Sequence, residues 1–241
     1  MTTSRRITKQ SGLTIIFDGD DTLWSTMPFY TDAKQRFQRL IAQLNWDSKS
    51  AVARLDEIDR QNVDRFGFNK NRFPTSMVQA YRELALAHHQ EPQSKFERKV
   101  RQIGESVFER KARRFPGVLS TLKRLYQHNL ILLTKGDAQV QAKRIKDSGL
   151  RSLFRSIYIE PSKGPAQFRA ILRSEKAKAQ RTWTVGDSLK SDIQPALDLG
   201  LNAIWIPKRT WAYEELESVP NHKHLYVCES ICDVPKIIER Q

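Results

Sequence analysis

The chain has 241 residues, of which 39% are hydrophobic and 28% charged, a composition that is ordinary for a globular protein with a sizeable core. No apolar run approaches the roughly 20 residues of a membrane span, and LTIIF at 13–17 is too short for the core of a signal peptide, so we expect a cytoplasmic protein without membrane association. The formal charge of +14 is compatible with a polyanionic partner, but the basic residues are spread along the chain without aromatic platforms or zinc-finger spacing, so we do not expect nucleic acid as the main partner.

The first predicted element is a buried strand at 13–17 whose end is crowded with acidic side chains. Asp18, Asp20 and Asp21 occur within four positions and are followed by Thr22. Like charges a few ångströms apart cannot all stay ionised alone, so a strand that ends in this way needs a compensating cation. This stretch is therefore the first candidate for a metal and phosphate site.

Residues 25–113 show helical periodicity without the alternation that is typical of strands. Apolar residues recur at helical spacing in four segments, DAKQRFQRLIAQL, SAVARLDEIDRQNV, SMVQAYRELALAHH and KFERKVRQIGESVFERKA. The stretch FGFNKNRFP (66–74), which contains Gly and Pro, separates the second segment from the third. We therefore predict an all-helical cap domain at 25–113, inserted into a catalytic core that consists of residues 1–24 and 114–241.

From about residue 118 onwards, short apolar strands alternate with helices. The strands are predicted at 130–134, 156–160, 182–185 and 202–207. Asp137 can cap the helix after the first of these strands and Gly149 can end it, while a helix at 165–174 follows the second strand. In SDIQPALDLG, Pro195 is compatible with a helix because it falls in the first turn. This alternation favours an α/β fold, a Rossmann-like core with a parallel sheet covered on both faces.

Polar side chains follow the predicted strands at the end where ligands bind in open parallel sheets. They are Asp18, Asp20, Thr134, Lys163, Asp187 and Asp192. Four carboxylates carry about −4 together, and a divalent cation with the Lys163 ammonium supplies about +3. Oxygen ligands of this kind favour Mg²⁺, completed by water and a substrate phosphate. The sequence therefore predicts one Mg²⁺ and phosphate site at this edge of the sheet.

The same residues resemble the four motifs of the haloacid dehalogenase-like (HAD) hydrolase superfamily, in the order of that family. The matches are Asp18, Asp20 and Thr22 to D-x-D-x-T, Thr134 to the Ser or Thr of motif two, Lys163 to the Lys of motif three, and Asp187 and Asp192 to the acidic pair of motif four. The resemblance implies a helical type-1 cap between motifs one and two, where the predicted insertion lies. Asp21 departs from the common motif, which has Gly there; aspartate tolerates a left-handed backbone, and we do not expect Asp21 to be catalytic.

The resemblance also implies catalytic and metal-binding roles. Asp18 is expected to be the nucleophile that forms an aspartyl-phosphate, and Asp20 the general acid and base. Asp18, Asp187 and the main-chain carbonyl of Asp20 are expected to hold Mg²⁺. Asp192 is either an outer metal ligand or an anchor for Lys163.

Residues that contact the substrate are expected at three places. Thr134 is expected to hydrogen-bond a phosphoryl oxygen and Lys163 to neutralise charge on the phosphate. Thr22 either contacts the substrate or caps a turn. In the loop at 66–74, Asn71 and Arg72 are candidates for the substrate's polar body, the alternative being a plain helix connection. A weaker candidate for a second anionic group lies after the last strand and comprises Lys208, Arg209 and Trp211.

The function predicted from these residues is Mg²⁺-dependent hydrolysis of a small phosphorylated metabolite. Asp20 favours phosphate esters over carbon–halogen bonds, because a departing alkoxide needs a proton and a halide does not. A phosphomutase, a haloacid dehalogenase and a non-enzymatic basic nucleic-acid binder remain alternatives, whereas a signalling receiver domain lacks a long helical insertion after its first strand. The pattern is compatible with a monomer and equally with a homodimer formed through the cap.

Overall fold

The computed structural model of the protein describes residues 12–208 and 218–240. Its strands are β1 (Thr14–Phe17), β2 (Trp24–Ser25), β3 (Arg113–Arg114), β4 (Asn129–Lys135), β5 (Ser156–Glu160), β6 (Thr182–Gly186), β7 (Asn202–Trp205) and β8 (Leu225–Val227). Its helices are α1 (Met27–Gln43), α2 (Ser48–Phe66), α3 (Arg72–Ala87), α4 (Ser94–Glu109), α5 (Val118–Arg124), α6 (Ala138–Ser148), α7 (Pro165–Ser174), α8 (Gln194–Leu197) and α9 (Val234–Glu239). Within these residues, no helix combines the length and the apolar character that crossing a bilayer requires.

The main sheet is parallel, with the strand order β5-β4-β1-β6-β7-β8. The first strand lies inside the sheet, where Ile15 pairs with Leu130 of β4 on one side and with Trp183 of β6 on the other. The chain builds outwards from β1 through β4 to β5, and then returns to the other side of β1 to form β6, β7 and β8. The strand order therefore reverses between β1 and β6, and the crevice at their carboxyl ends is where this fold places its ligands.

The two faces of the sheet carry separate hydrophobic clusters, because successive side chains of a strand point to opposite faces. Ile15 and Phe17 pack in the cluster that includes residues of α5, α6 and α9. Ile16 packs on the opposite face with Phe168 of α7 and Ala196 of α8. The result is the predicted α/β core, a parallel sheet between two layers of helices.

Within residues 25–113, all of which are described, α1 to α4 enclose a hydrophobic cluster of their own. Phe37, Leu55 and Tyr81 are buried in it. The two connections to the sheet run side by side, with Trp24 of β2 paired antiparallel to Arg114 of β3. This separate cluster supports the division into a core and a cap at residues 25–113, which stays a prediction.

The boundaries of the elements agree with several local signals in the sequence. The carboxylate of Asp137 accepts hydrogen bonds from the main-chain N–H of Gln139 at 3.0 Å and of Val140 at 3.2 Å, and Gly149 ends α6 with a φ of 65°. The predicted loop at 66–74 is shorter than expected, since α3 already begins at Arg72. The helical insertion also begins earlier than the first predicted segment, with α1 starting at Met27.

Candidate active site

The loop after β1 is a tight turn that places its carboxylates in fixed directions. Asp21 has a φ of 59°, as its tolerance of the left-handed region predicted. Its carboxylate accepts hydrogen bonds from the Thr26 hydroxyl at 2.6 Å, the Thr26 N–H at 2.8 Å and the Met27 N–H at 3.1 Å. Asp21 therefore holds the loop against the beginning of α1. Gly19 lies against the indole of Trp24, so closely that a Cβ at Gly19 would be 2.5 Å from a ring carbon.

Lys163 joins the carboxylates from two different strand ends. Its Nζ donates to Asp18 Oδ1 at 2.6 Å and to Asp192 Oδ1 at 2.5 Å, and the Lys163 side chain is only 2% exposed. Asp192 thus anchors Lys163, one of the two alternatives left open by the sequence. Its other oxygen, Oδ2, accepts the Ser188 N–H at 3.1 Å and would be 2.3 Å from a Cβ at Gly186. Gly186 is therefore required for Asp192 to approach the end of β6.

Three carboxylates converge beside this lysine. Asp18, Asp187 and Asp192 each offer an oxygen, and these oxygens lie within 4.8 Å of one another. Burial raises the pKa of Asp18 to about 7, with Lys163 lowering it and Asp192 raising it. Burial and then the charges of Asp18 and Asp192 raise the pKa of Asp187 well above its ordinary value. The pKa of Lys163 is raised, since its two carboxylate partners outweigh the lowering effect of burial.

The residues of this cluster fit a Mg²⁺ ion. Asp18 Oδ2 is buried and has no hydrogen-bond partner among the described residues, although its Oδ1 is engaged by Lys163. A buried carboxylate oxygen without a donor is costly unless a cation lies against it. Hard oxygen ligands from two or three aspartates are the kind that Mg²⁺ takes in proteins.

The two threonines lie differently with respect to the pocket. Thr134 is buried on the pocket wall, and its hydroxyl has no hydrogen-bond partner in the described part of the chain. Thr22 is not on the wall; its hydroxyl donates to Asp187 Oδ1 at 3.3 Å. The geometry thus supports a substrate contact for Thr134, whereas Thr22 orients the Asp187 carboxylate.

The carboxylate of Asp20 stands apart from the acidic cluster. Trp24 Nε1 donates to its Oδ1 at 2.6 Å, and Gln141 Nε2 donates to its Oδ2 at 2.8 Å. Arg144 Nη1 donates to Oδ2 as well. The carboxylate of Asp20 therefore points towards α6, and its main-chain carbonyl stays available for the metal-binding role that the resemblance implies.

Gln141 and Arg144 were not among the predicted site residues. The signal for them was present in the spacing of α6, where Gln141, Arg144 and Ser148 are all buried at i, i+3 and i+7. Polar residues on the buried face of a helix that follows a catalytic strand are candidates for contact with the site.

The helical insertion closes one side of the pocket. Its contributions to the wall are Thr26, Tyr30, Phe68, Asn69, Arg72 and Phe108. Arg72 lies on the wall, but its Nη1 donates to Asp59 Oδ2 at 2.5 Å and to the Asp59 carbonyl at 3.1 Å. Asn71 is exposed and off the wall. Of the residues proposed for a second anionic group, Lys208 is not on the wall, and Arg209 and Trp211 lie outside the described residues.

Similarity to known proteins extends over most of the chain. The sequence model of the haloacid dehalogenase-like hydrolases matches residues 13–200. The HAD-hydrolase YfnB of Bacillus subtilis is 24% identical over 215 residues, which are 80% of this chain and 83% of YfnB. Its crystal structure with bound magnesium aligns with a TM-score of 0.64 at 20% identity, over 95% of this chain and 99% of YfnB.

Two further proteins extend the comparison. Human N-acylneuraminate-9-phosphatase is 28% identical over 116 residues, which are 46% of this chain and 45% of the human protein. The crystal structure of a haloacid dehalogenase-like family hydrolase from Xanthomonas campestris aligns with a TM-score of 0.81 at 23% identity, over 98% of this chain and 94% of that one. The latter likeness shows a shared fold.

Proposed function

The chain belongs to the haloacid dehalogenase-like hydrolase family, and we propose that within this family it is a Mg²⁺-dependent phosphatase of a small phosphorylated metabolite. The observation that carries the proposal is the buried Lys163, which joins Asp18 to Asp192 beside Asp187. Transfer of a phosphoryl group needs positive charge at the nucleophile and hydrogen-bond donors for the phosphoryl oxygens. The Lys163 ammonium supplies the former at Asp18, and the Thr134 hydroxyl, which has no partner in the described residues, can supply the latter.

In the first step, a carboxylate oxygen of Asp18 forms a bond to phosphorus while the bond to the bridging ester oxygen breaks. The departing oxygen takes the proton of the Asp20 carboxyl group, so that an alcohol leaves and an aspartyl-phosphate remains. In the second step, water attacks the same phosphorus and Asp20 accepts its proton. The bond to Asp18 then breaks, which releases inorganic phosphate and restores both carboxyl groups to their starting states.

Asp18, Asp187 and the main-chain carbonyl of Asp20 would hold Mg²⁺, with Asp192 orienting Lys163. When bound, the ion supplies positive charge that offsets the phosphoryl oxygens. The Lys163 ammonium contributes positive charge at Asp18 Oδ1, and the Thr134 hydroxyl would donate to a phosphoryl oxygen. Support for this metal comes from the fit of the acidic cluster, and the related YfnB was crystallised with magnesium.

Phosphate esters are favoured over haloacids by the position of Asp20. An alkoxide leaves only with a proton, whereas a halide needs none, so a carboxyl group two residues after the nucleophile is useful for the former alone. N-Acylneuraminate-9-phosphatase, a relative over part of the chain, is named for action on a phosphate ester. The wall formed by Tyr30, Phe68 and Phe108 would contact the remainder of the substrate.

The proposal is tested with purified protein and p-nitrophenyl phosphate, followed by free-phosphate release from a panel of phosphorylated metabolites. We expect turnover with Mg²⁺ that EDTA removes and Mg²⁺ restores, and that Asp18→Asn abolishes. For the metabolites, whose leaving groups need a proton, Asp20→Asn is expected to reduce turnover by about 10²–10⁴-fold. Hydrolysis that survives EDTA and Asp18→Asn, or release of halide from 2-chloropropionate without phosphatase activity, would overturn the proposal.

A further inference from the structure

The two oxygens of the Asp20 carboxylate accept different numbers of hydrogen bonds. A carboxylate has about four lone-pair positions, two on each oxygen. Oδ2 accepts from both Gln141 Nε2 and Arg144 Nη1, so both of its positions are engaged. Among the described residues, only Trp24 Nε1 donates to Oδ1, at 2.6 Å. One position, on Oδ1, is left for a proton.

We propose that Gln141 and Arg144 are positioning residues, which hold Oδ2 of Asp20 so that the proton of the general acid resides on Oδ1 and is delivered from there. The inference rests on the proposed phosphatase function, because it concerns the acid that assists the leaving group. Neither residue needs to touch the substrate in order to act in this way. Each fixes which of the two chemically equivalent oxygens carries out the transfer.

The contacts are built to hold one geometry. Arg144 is 5% exposed and Gln141 is 2% exposed, and Trp24 is fully buried. Gln141 Nε2 donates in addition to the Lys135 carbonyl at 3.0 Å, at the end of β4, which ties its side chain to the sheet. Donors that are buried and fixed by further bonds lose little freedom when they hold a partner, so they define its rotamer well.

The arrangement also links the acid to the helical insertion. Tyr30 of α1 hydrogen-bonds the guanidinium of Arg144, and both side chains line the pocket. The guanidinium that holds Asp20 is thus itself held by a residue of the insertion.

A simpler role for Arg144 is to compensate the charge of a partly buried carboxylate. The two roles predict different effects of the leaving group on how much activity is lost when the arginine is removed. A displaced acid matters little when the leaving oxygen departs as a stable anion, as in p-nitrophenyl phosphate. It matters greatly when the leaving oxygen needs a proton, as in phenyl phosphate and glycerol 2-phosphate.

The experiment compares kcat/KM for these three esters in the wild type, Arg144→Met and Gln141→Met. kcat/KM reports on the barrier up to the first irreversible step, in which the leaving group departs. We expect a loss of less than about 10-fold for p-nitrophenyl phosphate and of about 10²-fold for the esters with poor leaving groups. The matched control is Lys143→Met, which removes a cation from the exposed part of the same helix and should leave the dependence on the leaving group unchanged.

Two further variants keep the outcome decisive. Arg144→Lys retains a charged donor and should recover part of the extra loss of kcat/KM for the esters with poor leaving groups. Asp20→Asn combined with Arg144→Met should lose no more for these esters than Asp20→Asn alone. If Arg144→Met does not fold, Gln141→Met carries the comparison, since it changes no charge.

A loss of equal size for all three esters would overturn the inference while the phosphatase function stands. A wild type that hydrolyses none of them would remove the proposed function and the inference with it.

Discussion

Replacing Arg72 with methionine should destabilise the protein strongly, because it leaves a buried carboxylate without its cation. The guanidinium of Arg72 is 2.5 Å from Asp59 Oδ2, and the two side chains are only 6% and 3% exposed. Removing one partner of a buried pair costs about 3–5 kcal/mol. For a protein of this size that corresponds to a fall in Tm of about 6–20 °C. Denaturant and thermal unfolding, followed by circular dichroism, measure the loss directly.

The matched control is Arg82→Met on the same helix, α3. Arg82 pairs with Glu97 at 2.7 Å, but its side chain is 56% exposed. Exposed pairs of this kind contribute less than about 1 kcal/mol because water screens them. The ratio of the two losses therefore measures how much burial, and not mere proximity of charges, decides the stability of this helix.

The double variant Asp59→Leu with Arg72→Met should recover most of the lost stability. Burial raises the pKa of Asp59 in spite of Arg72, which means that desolvation outweighs the attraction within the pair. Ser76, whose hydroxyl donates to Asp59, retains the Arg72 carbonyl as an acceptor at 2.9 Å. A double variant no more stable than Arg72→Met would refute this reasoning. Since the guanidinium is already engaged, we expect KM in the double variant to stay near the wild-type value; a large rise would restore Arg72 as a substrate contact.

Three more outcomes are expected. Gly186→Ala should reduce kcat by about 10²-fold, because the new Cβ would be 2.3 Å from Asp192. The control Gly164→Ala should be tolerated, because the nearest neighbour of its Cβ lies at 3.8 Å. Steady-state kinetics of both variants measure the difference. At 100 times its Kd, Mg²⁺ should stabilise the folded wild type by about 2.7 kcal/mol and so raise its Tm. Thermal unfolding without substrate should show no such rise for Asp187→Asn. Asp21→Gly should lower the free energy of unfolding by about 1–3 kcal/mol, since it removes three hydrogen bonds without strain at a φ of 59°; an unchanged denaturation midpoint would contradict the structural role.

The parts of the fold that were predicted well are those set by local chemistry. The strand at 156–160 and the helix at 165–174 have the predicted bounds, and Asp137 caps the helix it was expected to cap. A cap needs only the side chain and the N–H groups two or three residues ahead, so the sequence contains both partners. The convergence of Asp18, Lys163 and Asp187 followed from a rule of topology, since the ends of parallel strands meet at one edge.

The parts that were not predicted depend on partners far away in the sequence. Arg144 contacts Asp20 across 124 residues; the spacing of α6 places Arg144 on the buried face, but nothing in the sequence identifies Asp20 as its partner. Arg72 was a candidate for contact with the substrate because it lies in a polar loop; it lies on the pocket wall, but it begins a helix and its guanidinium donates to Asp59 on the neighbouring one. The carboxylate of Asp20 was grouped with the other carboxylates at this edge of the sheet, whereas three side-chain donors direct it towards α6.

The cations at this site act as specific partners of carboxylates and not as a general positive field. Lys163 lies between Asp18 and Asp192, and Arg144 holds Asp20. In the proposed reaction, each pair fixes the direction of one carboxylate, that of the nucleophile in one case and that of the general acid in the other. The net charge of +14 therefore gives no guide to the substrate. In the proposed reaction, each cation decides which carboxylate oxygen is free to react, while the wall formed by Tyr30, Phe68 and Phe108 would contact the remainder of the substrate.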